Sequence, residues 1–317
     1  MYTHLKFNQL PKVNKATKHV ITELKDGLAA EVTKLERDGW RADLPLYLFP
    51  HAFASEGGEK NPVYLGWEWE LTPHGSRYEQ ADTIRDLWNK GLKWYAVPGI
   101  GGEFLEIRSM PATLKHHKKA SKDFLGSKLL RRFRRDLRNG IHVHIDATYI
   151  DRDTYEKMVA FLIYTPNHLN FLNKFTKDRI SKNEYCKVYE EDQHLLRFNR
   201  KSGRLIGLDG LVRSYHAPKY FVVGWDDKSH PIEYNVDFGT YELRIFPSTT
   251  DGKEFLSYLE FSEALVKFCQ KYSLVSMNIP VFMQFVAKNK DKYEHLYETM
   301  KEKANVSGVS KITRKAA

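Results

Sequence analysis

Four short segments place acidic, imidazole or guanidinium side chains at alternate positions between apolar ones. In GWEWEL, Glu68 and Glu70 are separated and flanked by Trp67, Trp69 and Leu71. In EFLEIRS, Glu106 stands between Leu105 and Ile107, with Glu103 in the preceding GGEF as an alternative acid. In GIHVHID, His142 and His144 alternate with Ile141, Val143 and Ile145, and in TYELRIF, Glu242 and Arg244 alternate with Tyr241, Leu243 and Ile245. Successive strand side chains point to opposite faces, so each segment, if extended, gathers its polar groups on one face. Charges on such faces cost several kcal/mol unless the face lines a wet, ion-filled cavity. Carboxylates with one or two imidazoles are the donor set of Mg²⁺ or Mn²⁺, hard ions that take oxygen ligands and tolerate nitrogen. Taken singly, Glu-x-Glu also suits a solvated strand face, His-x-His a satisfied core, and Glu-x-Arg an ordinary ion pair. The recurrence of the pattern in four segments is what points to a metal site.

These segments need a scaffold, and the rest of the chain predicts one. Lys15 to Asp38 carries an apolar stripe at helical spacing (Ile21, Leu24, Leu28, Val32, Leu35) and stops at Gly39. YLGWEWEL reads as a strand, 78–90 as a helix, and KWYAV and EFLEIRS as strands joined by the turn PGIGG. Helical spacing covers Lys118 to Arg138, including Leu129, Leu130, Phe133 and Leu137, and Asn139-Gly140 delivers the chain into IHVHIDAT. Lys115-His116-His117-Lys118-Lys119 reads as a solvated loop, with nucleotide phosphate or a polyanion as its functional alternative. Asp153 with Glu156 forms a capping box before a long apolar helix kinked at Pro166. The polar stretch 178–217 has the composition of an active-site loop. Strands are expected around KYFVVGW, IEYNVDF and TYELRIF, then a helix capped by Asp251 and Glu254, then a last helix and a basic tail. Helices and strands alternate without a βαβ rhythm and no GxxxxGK[ST] occurs, so the expectation is an α+β fold around a mainly antiparallel sheet. The predicted division is an N-terminal helical extension (1–50), a catalytic domain (51–275), and a C-terminal helix with basic tail (276–317).

Composition supports a large globular chain. Of 317 residues, 42% are hydrophobic and 13% aromatic, enough to bury a sizeable core. The longest runs lacking Asp, Glu, Lys and Arg are 158–173 and 272–287, 16 residues each. Pro166 interrupts the first and Pro280 the second, so neither suits a membrane span. The first residues, MYTHLKFNQLPKVNK, hold no apolar run of the secretory kind, and two cysteines, Cys186 and Cys269, make no disulfide framework. A cytoplasmic protein is the expectation. The net charge of +10 is local: 113–140 contributes +8 and 301–317 contributes +4. Such concentration points to a binding surface more than to a general polyanion binder.

The order and wording of the four motifs resemble the amidoligase family, carboxylate–amine ligases related to glutamine synthetase and glutamate–cysteine ligase. GWEWEL matches its G-x-E-x-E strand, EFLEIRSMPATL its E-[IL]-x-S-x-P strand, NGIHVHID its G-x-H-x-H strand and TYELRIFPSTTD its final Thr-x-E-x-R strand. The resemblance spans about Tyr64 to Asp251 and leaves out the first 50 residues and the C-terminal helix. It implies a curved, glutamine synthetase-like sheet cupping the active site.

It also implies an ATP-dependent reaction with Mg²⁺ or Mn²⁺, in which an amine attacks an acyl phosphate to form an amide. By the resemblance, Glu68, Glu242 and His142 would hold one ion, and Glu70 with Glu106 a second. His144 would support the site or face the nucleotide, and Arg244 would hold phosphate oxygens. The sequence departs from the family pattern at KWYAVPG, where an acidic D-G-S is common, and before Asn235, where an Arg-Tyr pair is usual. Lys219-Tyr220 is the nearest basic-aromatic pair there, with Arg213 a little further back, and a lysine meets phosphate as a point charge without the bidentate fork of arginine. Two other classes use the same residues differently. A metal-dependent phosphoester hydrolase would need the glutamates and histidines but no ATP. A nucleic-acid-binding or assembly protein would work through 113–140 and the tail.

Overall fold

Alternation in β1 (Tyr64–Pro73) decides which face of the first sheet is dry. Leu65, Trp67, Trp69 and Leu71 are buried to 1% exposure or less, whereas Glu68 and Glu70 between them are partly open. The computed structural model describes residues 55–57, 59, 61–74, 94–98, 104–109, 111–125, 128–136, 138–163, 166–182, 186, 197–199, 204–206, 232–235 and 240–306. After β1 come β2 (Trp94–Pro98), β3 (Leu105–Ser109), β4 (Ala112–Thr113), α1 (Leu114–Leu125), β5 (Phe133–Arg134) and β6 (Gly140–Asp146). Next are α2 (Arg152–Ile163), α3 (Pro166–Phe175), α4 (Arg179–Lys182), β7 (Arg197–Asn199), β8 (Arg204–Ile206), β9 (Ile232–Asn235) and β10 (Thr240–Pro247). Helices α5 (Gly252–Lys271), α6 (Ile279–Lys288) and α7 (Glu294–Val306) follow. The expected α+β class is observed, and each register-defined strand pair among the described residues is antiparallel. No described helix is long and apolar enough to cross a membrane.

The chain divides into two compact units, Met1–Ile141 with Ser248–Thr250, and His142–Pro247 with Asp251–Ala317. In the first, the strands run β2-β3-β1, with β4 and β5 also pairing with β1. Leu114, His117, Ser121 and Phe124 form the buried stripe of α1 at helical spacing. Through that stripe α1 meets the dry face: Phe124 meets Trp69 edge-on at 5.9 Å, and His117 hydrogen-bonds Trp67. The loop expected at 115–119 is therefore helix, fixed by a tryptophan 50 residues away that local composition does not reveal. The single helix expected from 118 to 138 is also corrected. It ends at Leu125, and Phe133–Arg134 pairs with Thr72–Pro73 as an edge strand. A buried Phe133 and the β1 edge outcompete helical spacing there.

In the second unit, the strands run from β6 to β10 to β9, with β7 and β8 as a separate hairpin. Every residue of β6 is buried, so its two histidines sit in the interior as fully as its isoleucines. Helix α5 is buried nearly all round from Phe255 to Val266, and an aromatic cluster gathers on it. Phe175 of α3 packs on Phe261 at 4.9 Å and Phe246 of β10 stacks on Tyr258 at 4.7 Å. Tyr155 of α2 stacks on Tyr241 of β10 at 4.1 Å. Pairs of this kind add about 0.5–1.5 kcal/mol beyond burial, and they fix β10 against α2, α3 and α5.

Helix starts follow their capping residues. Asp251 accepts from the Lys253 and Glu254 amides at 2.8 and 3.4 Å, as its spacing predicts. At α2 the cap is Asp151, which accepts from the Thr154 amide at 2.8 Å, and not Asp153. Asp153 lies inside the first turn and pairs with Lys157. Both aspartates have a suitable residue three positions on, and the chain turns at the earlier one. The expected kink at Pro166 is the start of the separate helix α3. The expected last helix is two, with Asn278 capping α6 and Glu260 holding the first turn of α7. The expected helices at 15–38 and 78–90, the PGIGG turn, the strand at 219–225 and the tail beyond 306 lie outside the described residues.

Candidate functional site

In the second unit, β10 and β6 bring together four of the predicted side chains. Along β10, Leu243 and Ile245 turn into the dry core, which leaves Glu242 and Arg244 on the other face. The Arg244 Nη1 donates to Glu242 Oε1 at 2.5 Å. His142 Nδ1 lies 3.2 Å from the same oxygen. His144 and Glu242 offer ligand atoms within 4.8 Å of one another. His144 is also anchored through one ring nitrogen: its Nδ1 stands 2.9 Å from the hydroxyl of Thr240, two residues before Glu242.

Electrostatics favour the ionised form of Glu242. It is 4% exposed. Burial alone pushes its carboxyl up, but the His144 charge, the His142 hydrogen bond and the Arg244 guanidinium outweigh burial and hold it well below the usual carboxylate range. A buried charge that stays ionised needs hydrogen-bonding or cationic partners, and here two imidazoles and a guanidinium are the neighbours. A carboxylate and an imidazole, Glu242 and His144, fit a divalent ion by donor type, and ligand bonds of about 2.0–2.6 Å let one ion bridge donors at their spacing. The guanidinium of Arg244 is planar and multiply donating, a group of the kind that meets phosphate oxygens.

In the first unit, β1 and β3 carry a second cluster. Glu70 stands directly opposite Glu106, and Glu68 directly opposite Arg108. Arg108 Nε lies 3.3 Å from Glu68 Oε1 and hydrogen-bonds Glu106. Like charges facing one another across a strand pair are destabilising, and here the Arg108 guanidinium bonded to Glu106 offsets the Glu70–Glu106 pairing. Glu70 Oε2 accepts from the Gly140 amide at 2.6 Å, and its backbone carbonyl accepts from the Ser248 hydroxyl. Asn139 Nδ2 donates to Thr72 Oγ1 at 2.8 Å, and its carbonyl accepts from the Ser248 amide at 3.0 Å. These bonds fix the ends of β1 and β6 where the acidic residues stand.

Thr240, Arg108, Asn139 and Ser248 are participants that sequence reasoning did not single out. A signal existed for Arg108, since Glu106-x-Arg108 repeats the Glu242-x-Arg244 spacing. The basic segment 113–140 becomes α1, a short 3₁₀ turn and β5. Lys115, Lys119 and Lys122 are exposed on α1, and Arg131, Arg132, Arg134 and Arg135 are exposed around β5. Arg138 pairs with Asp136 and Lys119 with Glu56. Trp67 and Trp69 are core residues, as expected, and both cysteines are buried thiols. Arg213, Lys219 and Glu103 lie outside the described residues, and of Asn235 only its place in β9 is described.

Residues 124–266 match the model of a family described as "Putative amidoligase enzyme". That match supports the amidoligase assignment. It makes the chain a ligase candidate on grounds independent of the site geometry. The matched span contains β6 and β10 with His142, His144, Glu242 and Arg244, and it begins after β1 and β3. No curated protein matches the chain.

Proposed function

We propose that the chain is an ATP-dependent carboxylate–amine ligase working at a divalent-metal site. The observation that carries this reading is the buried Glu242 held ionised by His142, His144 and Arg244, on two strands that both lie within the family match. Within the second unit, His144 and Glu242 offer ligand atoms close enough to share one ion, and Glu68 is assigned to that ion with them. His142 is assigned beside them, and Glu70 with Glu106 is assigned to a second ion. When bound, Mg²⁺ or Mn²⁺ supplies charge neutralisation on the phosphates of ATP.

The chain's own residues do the rest. Arg244, tethered to Glu242, is assigned to the γ-phosphoryl group, where a guanidinium would offset the negative charge that gathers on its oxygens. A substrate carboxylate oxygen forms a bond to that phosphorus as the bond to the bridging oxygen of ADP breaks. The amine nitrogen then bonds to the activated carbonyl carbon, phosphate leaves with the C–O bond, and the nitrogen loses a proton. Arg213 and Lys219 are assigned to further phosphate contacts. The curved, glutamine synthetase-like cup and the cytoplasmic setting belong to the same proposal, as does contact of the exposed arginines around β5 with a polyanionic substrate or carrier.

The test is ADP release by the full chain with ATP and Mg²⁺ across a panel of acids and amines. The reading requires ADP formation that depends on both an acid and an amine and is lost in Glu242→Gln. Phosphoester hydrolysis without ATP, retained by the same protein, would replace the ligase with a hydrolase.

A further inference from the structure

The hydroxyl of Thr240 is the partner of one ring nitrogen of His144, at 2.9 Å, and a hydroxyl can serve either as donor or as acceptor there. The direction decides what the other nitrogen can do. If the hydroxyl donates to Nδ1, the neutral ring carries its proton on Nε2 and has no lone pair left for an ion. If the hydroxyl accepts from Nδ1–H, Nε2 presents its lone pair. Metal-binding imidazoles are commonly fixed this way, through the nitrogen that does not bind the ion.

We infer that Thr240 is a positioning residue: it accepts from His144 Nδ1–H and so holds Nε2 as the metal-binding atom. The inference rests on the reading of His144 as a ligand. The local structure suits the task. Thr240 opens β10 two residues before Glu242, so its side chain falls on the same strand face as the carboxylate and the guanidinium. A β-branched residue has few χ1 choices, and His144, at 7% exposure, has little room to turn. The arrangement sets the tautomer before any ion arrives.

The experiment uses the full chain as wild type, Thr240→Val and Thr240→Ser, each checked for an unchanged melting profile. Nitrogen-15 NMR of labelled histidine reads the His144 tautomer in metal-free protein, and calorimetric titration with Mn²⁺ alone reads affinity. The expected result is a protonated Nδ1 in wild type, a shift of that proton toward Nε2 in Thr240→Val, and Mn²⁺ binding weakened about 10–100-fold in Thr240→Val. Thr240→Ser, which keeps the hydroxyl, should stay near wild type. A bare Nδ1 in wild type overturns the inference whatever the metal does. So does Thr240→Val with wild-type tautomer and affinity, while leaving the metal reading intact. Failure of the wild type to take up Mn²⁺ overturns the metal reading itself, and the tautomer data then decide separately whether Thr240 holds the ring.

Discussion

His117 allows a prediction whose size follows from the structure. It is 2% exposed, with Trp67 Nε1–H donating to Nδ1 at 3.3 Å and Nε2 lying 2.7 Å from the Leu65 carbonyl. An indole N–H only donates and a carbonyl only accepts, so the neutral ring with its proton on Nε2 satisfies both partners. A second proton has no acceptor. Burial therefore lowers the ring's pKa from 6.5 to about 4, with the Leu65 bond opposing and the His116 charge adding to the drop. The folded value is depressed, so the stabilisation is complete above 6.5 and is lost as pH falls toward 4. The gap is worth about 3 kcal/mol in full and about 2 kcal/mol at pH 5. Urea unfolding of wild type and His117→Gln at pH 7.5, 6 and 5 measures it. Glutamine can accept from Trp67 and donate to Leu65 without titrating, so the variant should lose about 2 kcal/mol less than wild type between pH 7.5 and 5. Parallel losses, or an NMR titration of His117 centred near 6.5, would refute the reasoning.

Other consequences are local. Asp251→Ala removes the cap of α5 and should cost about 1 kcal/mol, seen as a lower melting temperature with Mn²⁺ affinity unchanged. Glu260, fully buried, accepts from the Leu296 amide at 2.7 Å, so Glu260→Ala should cost about 1–3 kcal/mol and speed hydrogen exchange at Leu296. Glu70 faces Glu106 across the β1–β3 pair and accepts from the Gly140 amide, so Glu70→Gln, which relieves the like charges and keeps an acceptor, should stay within about 1 kcal/mol of wild-type stability in chelator. The same variant should lose part of the stabilisation that Mn²⁺ gives wild type.

Local pattern was enough wherever a short range decided the structure. The alternation in GWEWEL sorted partly open from dry positions correctly, because Trp67 and Trp69 must find a core whichever strand lies beside them, whereas His142, His144 and Glu242 are buried along with their apolar neighbours. Asp251 was legible because its partners are two and three residues away. Contacts distant in sequence were not legible. His117 reads as part of a basic loop until Trp67 and Leu65 are seen beside it. Phe133 reads as a helix position until Pro73 is seen opposite it. Thr240 was in plain view within its motif, yet its role depends on a histidine 96 residues away. For Asp151 and Asp153 the spacing was degenerate, and only the turn that formed distinguishes them.

The central claim is that a nucleotide and a divalent ion meet at Glu242. The most direct measurement is thermal unfolding of wild type and Glu242→Gln, each with Mg²⁺ or Mn²⁺, a non-hydrolysable ATP analogue, or both, after circular dichroism confirms that the variant is folded. Ligand at about 100 times its dissociation constant adds roughly 2.7 kcal/mol, a rise of a few degrees for a chain of this size. The account predicts a metal-dependent nucleotide shift of that size in wild type and its loss in Glu242→Gln. A wild type that ignores nucleotide and metal together, or a variant that responds as wild type does, would contradict it.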